Sequence, residues 1–535
     1  MAFEGFGRDA AASSEASKAD AGVPFGSAAQ ASDPHWSATW AFFRHQGLAV
    51  SLGRRAVRGV AATAGGQWLR FILHIATTMV LARLVTPEDY GLVTMVVAIT
   101  GLAERLLTVG LRTATIQRRE ITDQQVSALF WITVILGTIV SALFAGSAEL
   151  ISAFYGEPEL VPVTLAMSSI FVLTAFGSQH IALLDRHMRF KLLAVMEVTA
   201  LGVAGVAAIV VGALGMGYWA IVVLHLAQPA VKLAFGWLGT GWKPQLPRAW
   251  AGVRSLLSFG AYQTLFQVLT YSSQNLDNVV IGNAIGSSAL GIYSRAYQLL
   301  LVPIRELQSP LHRVAIPTLS RLQDQPERFR RFYRTGLSGT AHAAIPLILL
   351  LALASDEIIL LALGDQWIEA GPIFRVLAFA GLATVAGHAN GWLYVALGRV
   401  RRQALWGLVA HPLLIASFFI GLPWGIVGVA TAYTVTRWLL LPVSLTLATS
   451  GTPVSLGDVG RAVWRPACIG AIAYIAAGQV REGVLLAPTV VTLAIAATSF
   501  LLAYAVMLAA WRPARAEFRS LLDVARQGLR RAGNG

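Results

Sequence analysis

The sequence predicts an all-α integral membrane protein of about 14 transmembrane helices in two related halves, each apolar run being long enough to cross a bilayer core. Three observations carry this. The chain of 535 residues is 56% hydrophobic and only 13% charged, with a mean hydropathy of +0.63, too apolar for a soluble protein of this length. Apolar runs of about 20 residues recur along most of it. Lastly, LARLVTPEDYGLV (Leu81 to Val93) has a counterpart in IGNAIGSSALGIY (Ile281 to Tyr293). Aligning Gly91 with Gly291 matches Leu81 with Ile281, Ala82 with Gly282, Val85 with Ile285 and Leu92 with Ile292. Both stretches read as hinges between two apolar spans. Duplicated membrane halves usually enclose a site between them, which points to a transporter.

In chain order, residues 1–58 predict a cytoplasmic segment without the basic start and apolar core of a signal peptide. Residues 1–33 are rich in Ala, Ser, Gly and acids and read as disordered. Trp36, Trp40 and Phe43, followed by Arg44, Arg54, Arg55 and Arg58, fit either a helix lying on the inner membrane surface or an unstructured basic lead-in. Six spans follow in an N-terminal half at 59–254: 60–84, 91–112, 126–147, 161–182, 193–213 and 217–238. Six more fall in a C-terminal half at 255–450: 256–281, 288–316, 335–355, 372–397, 404–422 and 425–447. Two additional helices, 463–480 and 485–510, occupy 451–511, and 512–535 forms a basic tail.

The connections alternate in charge. One set holds Arg112, Arg118 and Arg119; Arg186, Arg189 and Lys191; Lys243, Arg248 and Arg254; Arg321, Arg328, Arg330, Arg331 and Arg334; Arg399, Arg401 and Arg402; Arg461 and Arg465; and six tail arginines from Arg512 to Arg531. The other set, from TPEDYG to GQVREG, is acidic or neutral, with Arg481 its main basic residue. Positive-inside orientation therefore puts both termini in the cytoplasm. The same pattern accounts for the net charge of +14 without nucleic acid. The lone Cys468 allows no intramolecular disulfide and no cysteine metal cluster. The longest connection, near 316–335, is too short for a catalytic domain, and no phosphate loop or catalytic grouping is found, so the chain is expected not to be an enzyme and to need no cofactor or metal.

In hydrocarbon a polar side chain needs a reason. The first two helices of each half carry polar stripes at helical spacing: Gln67, Arg70, His74 and Thr77; Thr94, Gly101, Arg105, Thr108 and Arg112, beside Glu104; Gln263, Gln267, Tyr271, Gln274 and Asn278, beside Asn275 and Asp277; and Arg295, Gln298, Arg305, Gln308 and His312, beside Glu306. They predict a water-filled cavity between the halves, mainly cationic through Arg70, Arg105, Arg295 and Arg305, with His74, Gln267, Gln274, Asn278 and Gln298 completing its wall. Arginine suits an anionic cargo because its planar fork binds phosphate oxygens in pairs and stays charged. The alternative is that these residues only bond helix to helix or form buried Arg–Glu pairs. Asp277 and Glu306 are candidate proton or ion-coupling residues, and the blander reading of Asp277 is a partner for an arginine.

LARLVTPEDYGLV, LDNVVIG, ALGIYSRAYQLLLVPIREL and AIPTLSRLQDQPERFRRFY resemble the MOP superfamily of multidrug, oligosaccharidyl-lipid and polysaccharide exporters, and within it the Wzx-type polysaccharide transporters. The resemblance covers about residues 55–450. It implies two pseudo-symmetric six-helix lobes in a MATE-like V, followed by two extra helices. It also implies a bacterial inner-membrane flippase of lipopolysaccharide or exopolysaccharide assembly. The cargo would be an undecaprenyl-pyrophosphate-linked oligosaccharide, handed on to other polysaccharide-assembly proteins. A small-molecule exporter of the same superfamily predicts a cavity of acids and aromatics. A membrane polymerase or ligase predicts a large exterior loop.

Overall fold

The computed structural model describes residues 52–117, 121–246, 271–272, 275–484 and 487–533. The N-terminal segment up to residue 51 and most of the seventh span, including Gln263, Gln267 and Gln274, lie outside them.

Among the described residues the secondary structure is helical throughout. The first half contains α1 (Leu52–Leu84), α2 (Pro87–Gln117), α3 (Asp123–Gly146), α4 (Ala148–Tyr155), α5 (Leu160–Arg186), α6 (Phe190–Ala213) and α7 (Trp219–Thr240). A helical stretch at 275–284 leads into α8 (Ser287–Arg321), α9 (Pro326–Leu353), α10 (Ser355–Ala362), α11 (Ala370–Ala396), α12 (Val400–Gly421) and α13 (Gly425–Thr449). The chain continues as α14 (Leu456–Glu482), α15 (Thr489–Ala510) and α16 (Arg512–Gly533).

Among the described residues, eight helical stretches are long and apolar enough to cross a membrane: α3, α5, α6, α7, α9, α11, the continuous α12–α13 run and α15. Their apolar side chains are widely exposed, Leu143 at 68%, Val206 at 65% and Leu439 at 69%. That surface suits hydrocarbon, in which every backbone polar group must be satisfied inside the helix. α1, α2, α8 and α14 fall outside that set, and each carries charged side chains along its length.

Chain chemistry sets the boundaries. Thr122 and Gln125 form a capping box on α3, and Ser455 and Asp458 form one on α14. Gly156 and Gly241 end α4 and α7 in the left-handed conformation that glycine adopts without a Cβ penalty. The connection expected near 316–335 is itself largely helix. α8 runs on to Arg321, and Pro326 starts α9 at a position where its missing N–H costs nothing. Two short helices were not predicted. α4 and α10 are 8 residues each, and each follows the third long helix of its half. α1 starts at Leu52, eight positions before the drawn span.

Helix neighbours fall into two groups. α1 packs on α6, α6 and α5 on α7, and α5 also on α2 and α3. In the second group α11 packs on α8, α9 and α13, α12 on α13, α9 on α14, and α14 on α15. The main contact joining the groups is α2 on α8, and here the repeat is explained. Gly91 and Gly291 are not flexible hinges between spans. They lie in the first turns of α2 and α8, and the two helices cross there backbone to backbone. A Cβ on Gly91 would sit 1.7 Å from the Ser287 carbonyl oxygen, and one on Gly291 would sit 1.8 Å from the Pro87 carbonyl oxygen. Pro87 and Ser287 hold equivalent positions, so the contact is reciprocal.

Candidate functional site

The cleft between the two groups is closed at the end where the acidic connections gather. Ser287 Oγ donates to Glu157 Oε1 at 2.8 Å, and Asn283 Nδ2 donates to the Phe154 carbonyl. From the segment after α10, Trp367 Nε1 and Gln366 Nε2 donate to the Ala82 carbonyl at 2.7 and 2.6 Å. The last carbonyls of a helix lack partners of their own, so side chains of the second half cap α1. Arg83 returns a bond to the Leu361 carbonyl at 2.7 Å.

Below this closure, α1 and α8 border a narrow pocket of ≈10 Å³, about the room one water needs, lined by His74, Ile75, Thr78, Arg295, Gln298, Leu299, Val302 and Leu363. Arg295 lies over the Tyr90 ring, 3.8 Å from its centroid, and its Nε is buried with no hydrogen-bond partner among the described residues. A ring face attracts a cation but leaves its N–H groups free for an anion. Gln298 is exposed.

Arg105 repeats the motif on α2. Its guanidinium lies 4.0 Å from the Tyr271 centroid and donates to the Gly101 carbonyl at 3.0 Å. Gly101 leaves room for this ring, since a Cβ would fall 2.2 Å from the Tyr271 hydroxyl and displace it. Arg305 is exposed on α8. Beside it, Glu306 accepts a 2.6 Å bond from Gln67 that links α1 to α8.

Among the described residues, Arg70 has a carboxylate partner, Glu197 on α6, at 3.4 Å. Glu197 also holds Lys232 of α7 at 2.9 Å. Sequence reading missed this acid and this lysine because it sought stripes, and each is a single charge in an apolar helix. Two stripe members face elsewhere. Thr77 is buried against α6, where a Cβ on Gly205 would lie 2.7 Å from its hydroxyl, and Arg112 pairs with Asp185 inside the first half.

Asp277 is 4% exposed. It accepts from the Tyr293 hydroxyl at 3.1 Å and the Asn278 N–H at 2.9 Å. Among the described residues no arginine or lysine bonds it. Asn278 itself is half-buried. The described residues contain no group of three or more His, Cys, Asp or Glu suited to a metal ion.

Residues 80–372 match the family described as "Polysaccharide biosynthesis protein". The chain is 29% identical over 379 residues to the lipopolysaccharide biosynthesis protein WzxC of Escherichia coli (strain K12), covering 70% of this chain and 76% of that protein. It is 26% identical over 412 residues to the teichuronic acid biosynthesis protein TuaB of Bacillus subtilis (strain 168), covering 73% and 83%. In fold it is similar to the lipid II flippase MurJ in an inward closed conformation, with a TM-score of 0.66 and 13% identity, over 83% of this chain and 98% of that one. A match over more than half the chain, joined to this multi-pass helical fold, makes the protein a member of the polysaccharide biosynthesis protein family.

Proposed function

We propose that this protein flips undecaprenyl-pyrophosphate-linked oligosaccharide repeat units from the cytoplasmic to the outer leaflet of a bacterial inner membrane, by alternating access of two lobes. The observation that carries the reading is Arg295: a guanidinium on the pocket between the halves, held by a ring face and, among the described residues, by no carboxylate. A carboxylate clamp would neutralise it. The aromatic support leaves a positive charge with unspent donors, which suits a diphosphate. Arg105 and Arg305 extend the cationic wall, Arg70 and Lys232 share a single acid, and the polar side chains His74, Gln298 and Asn278 offer hydrogen bonds to sugars. The family's place in polysaccharide biosynthesis supports this cargo over a small cation.

In this reading the closed acidic end faces outward and both termini lie in the cytoplasm, as the charge alternation requires. Asp277 and Glu306 are the coupling candidates, and the flipped lipid passes to outer-leaflet assembly proteins. The test replaces Arg70, Arg105, Arg295 and Arg305 singly with Gln in a strain lacking its flippase. Polymer export at matched protein levels is expected to fall, most for Arg295→Gln. Normal export by all four variants overturns the cationic-cavity reading. Asp277→Asn and Glu306→Gln, assayed across external pH, test the coupling role.

A further inference from the structure

Between the cleft and the closed end, three residues from three segments stand in line. Arg295 rests on the face of Tyr90 at 3.8 Å. Tyr90 meets the Trp367 ring edge-on, with centroids 5.3 Å apart and planes at 74°. Trp367, fully buried, donates to the Ala82 carbonyl at the end of α1. Tyr90 is 1% exposed and its hydroxyl has no hydrogen-bond partner among the described residues. The ring is what touches both neighbours. Trp367 belongs to the second half, whereas Tyr90 and Ala82 belong to the first, so this ring is part of what holds the closed end shut.

We propose that Tyr90 is a positioning residue that couples cargo to the gate: a diphosphate bound at Arg295 draws the guanidinium off the Tyr90 face, and the loosened ring releases Trp367 from α1. This rests on the flippase reading. The physical basis is a shift in position. A phosphate takes two charge-assisted bonds in the guanidinium plane, and the pull of those bonds toward a diphosphate outweighs the weaker hold of the ring face. Once the cation leaves, Tyr90 loses a contact that fixes its plane, and the edge-on seat of Trp367 depends on that plane. Trp367 and Gln366 then give up the α1 carbonyls. The link also works in reverse: without cargo, the seated cation stiffens the seal and suppresses empty opening.

The experiment uses full-length protein in nanodiscs, with Cys468→Ser and nitroxides at Leu214→Cys and Val490→Cys, both at the acidic end of their helices and 72% and 62% exposed. Electron–electron distance distributions are recorded with and without inorganic pyrophosphate. In the parent protein, pyrophosphate is expected to raise the long-distance population by about fivefold, the low end of ordinary allosteric coupling. Tyr90→Phe keeps the ring and should respond like the parent. Tyr90→Leu should be partly open without pyrophosphate and respond little. Trp367→Phe keeps a ring but drops the Ala82 bond, and should be open in both conditions. Arg295→Gln should show no response.

A full response by Tyr90→Leu, or none by the parent protein, overturns the coupling. Polymer export is scored separately in the same variants. Loss of export in Arg295→Gln beside an unresponsive gate in the parent leaves the flippase reading standing without the relay. Normal export in Arg295→Gln removes the diphosphate site itself.

Discussion

Replacing Gly91 with Ala should unseat the closed end of the cleft. The Cβ would lie 1.7 Å from the Ser287 carbonyl oxygen and 2.4 Å from its carbon. Carbon and oxygen need at least about 3 Å, so the α2 and α8 backbones must part by more than an ångström, in a contact packed as densely as a crystal. Neither obstacle is a flexible side-chain tip. Overpacking of this kind costs about 1–3 kcal/mol, and here the cost falls on the closed arrangement, because parting the helices relieves it. The closed population should drop relative to the open one by about 5- to 150-fold. Gly291→Ala meets the Pro87 carbonyl oxygen at 1.8 Å and should behave alike. Because the two glycines share one crossing, the double variant should exceed either single variant by little, a non-additive pair. The assay is the spin-label distance at the acidic end, with export as a second readout. Unchanged closed populations in both single variants, or full additivity in the double, would refute the crossing as the seal.

Three further outcomes follow from the polar contacts. Glu197→Gln should destabilise the first half by about 1–3 kcal/mol by leaving Lys232 and Arg70 without their acid, and an Arg70→Gln/Glu197→Gln thermal-melt cycle should show coupling. Arg481 joins Glu357 at 2.8 Å and Asp356 at 3.0 Å, and Glu357 is buried. Arg481→Gln should lower stability by about 3–5 kcal/mol, the usual cost of leaving a buried charge unpaired, read by thermal melting. At the start of α14, burial pushes the Asp458 carboxyl up, but bonds from Arg330 and Ser455 more than offset this and hold it at about 2. A lowered carboxyl stabilises above its unfolded value. Its contribution, at most about 2 kcal/mol at neutral pH, should fade as pH falls from about 4 towards 2, and Asp458→Asn should abolish that slope in pH-dependent melts.

The membrane class and the repeat were legible because both are written in periodicity and composition, which need no tertiary information. The long helices follow from apolar length, and Gly91 and Gly291 stood out because only a close approach demands glycine at matched positions. Their role was misread. A sequence shows that a small residue is needed, not that another backbone is what excludes a side chain. Arg70, Arg105, Arg295 and Arg305 were found by spacing, but spacing cannot say what each one rests on. Arg105 and Arg295 sit on the rings of Tyr271 and Tyr90, and neither ring marks itself in a one-dimensional pattern. Glu197, Lys232 and Trp367 lay out of view for a related reason: each acts alone from a helix or turn that otherwise reads as lipid-facing or connecting chain.

The crossing of α2 and α8 is made of main-chain atoms, with the side chains set aside. A seal of that kind takes no part in recognising what is carried. Apart from Arg295, residues along the cleft are free to diverge as the glycan changes, from one polymer to the next, without retuning the surface that shuts behind it. Cargo choice and closure are thereby written in separate parts of the same two helices.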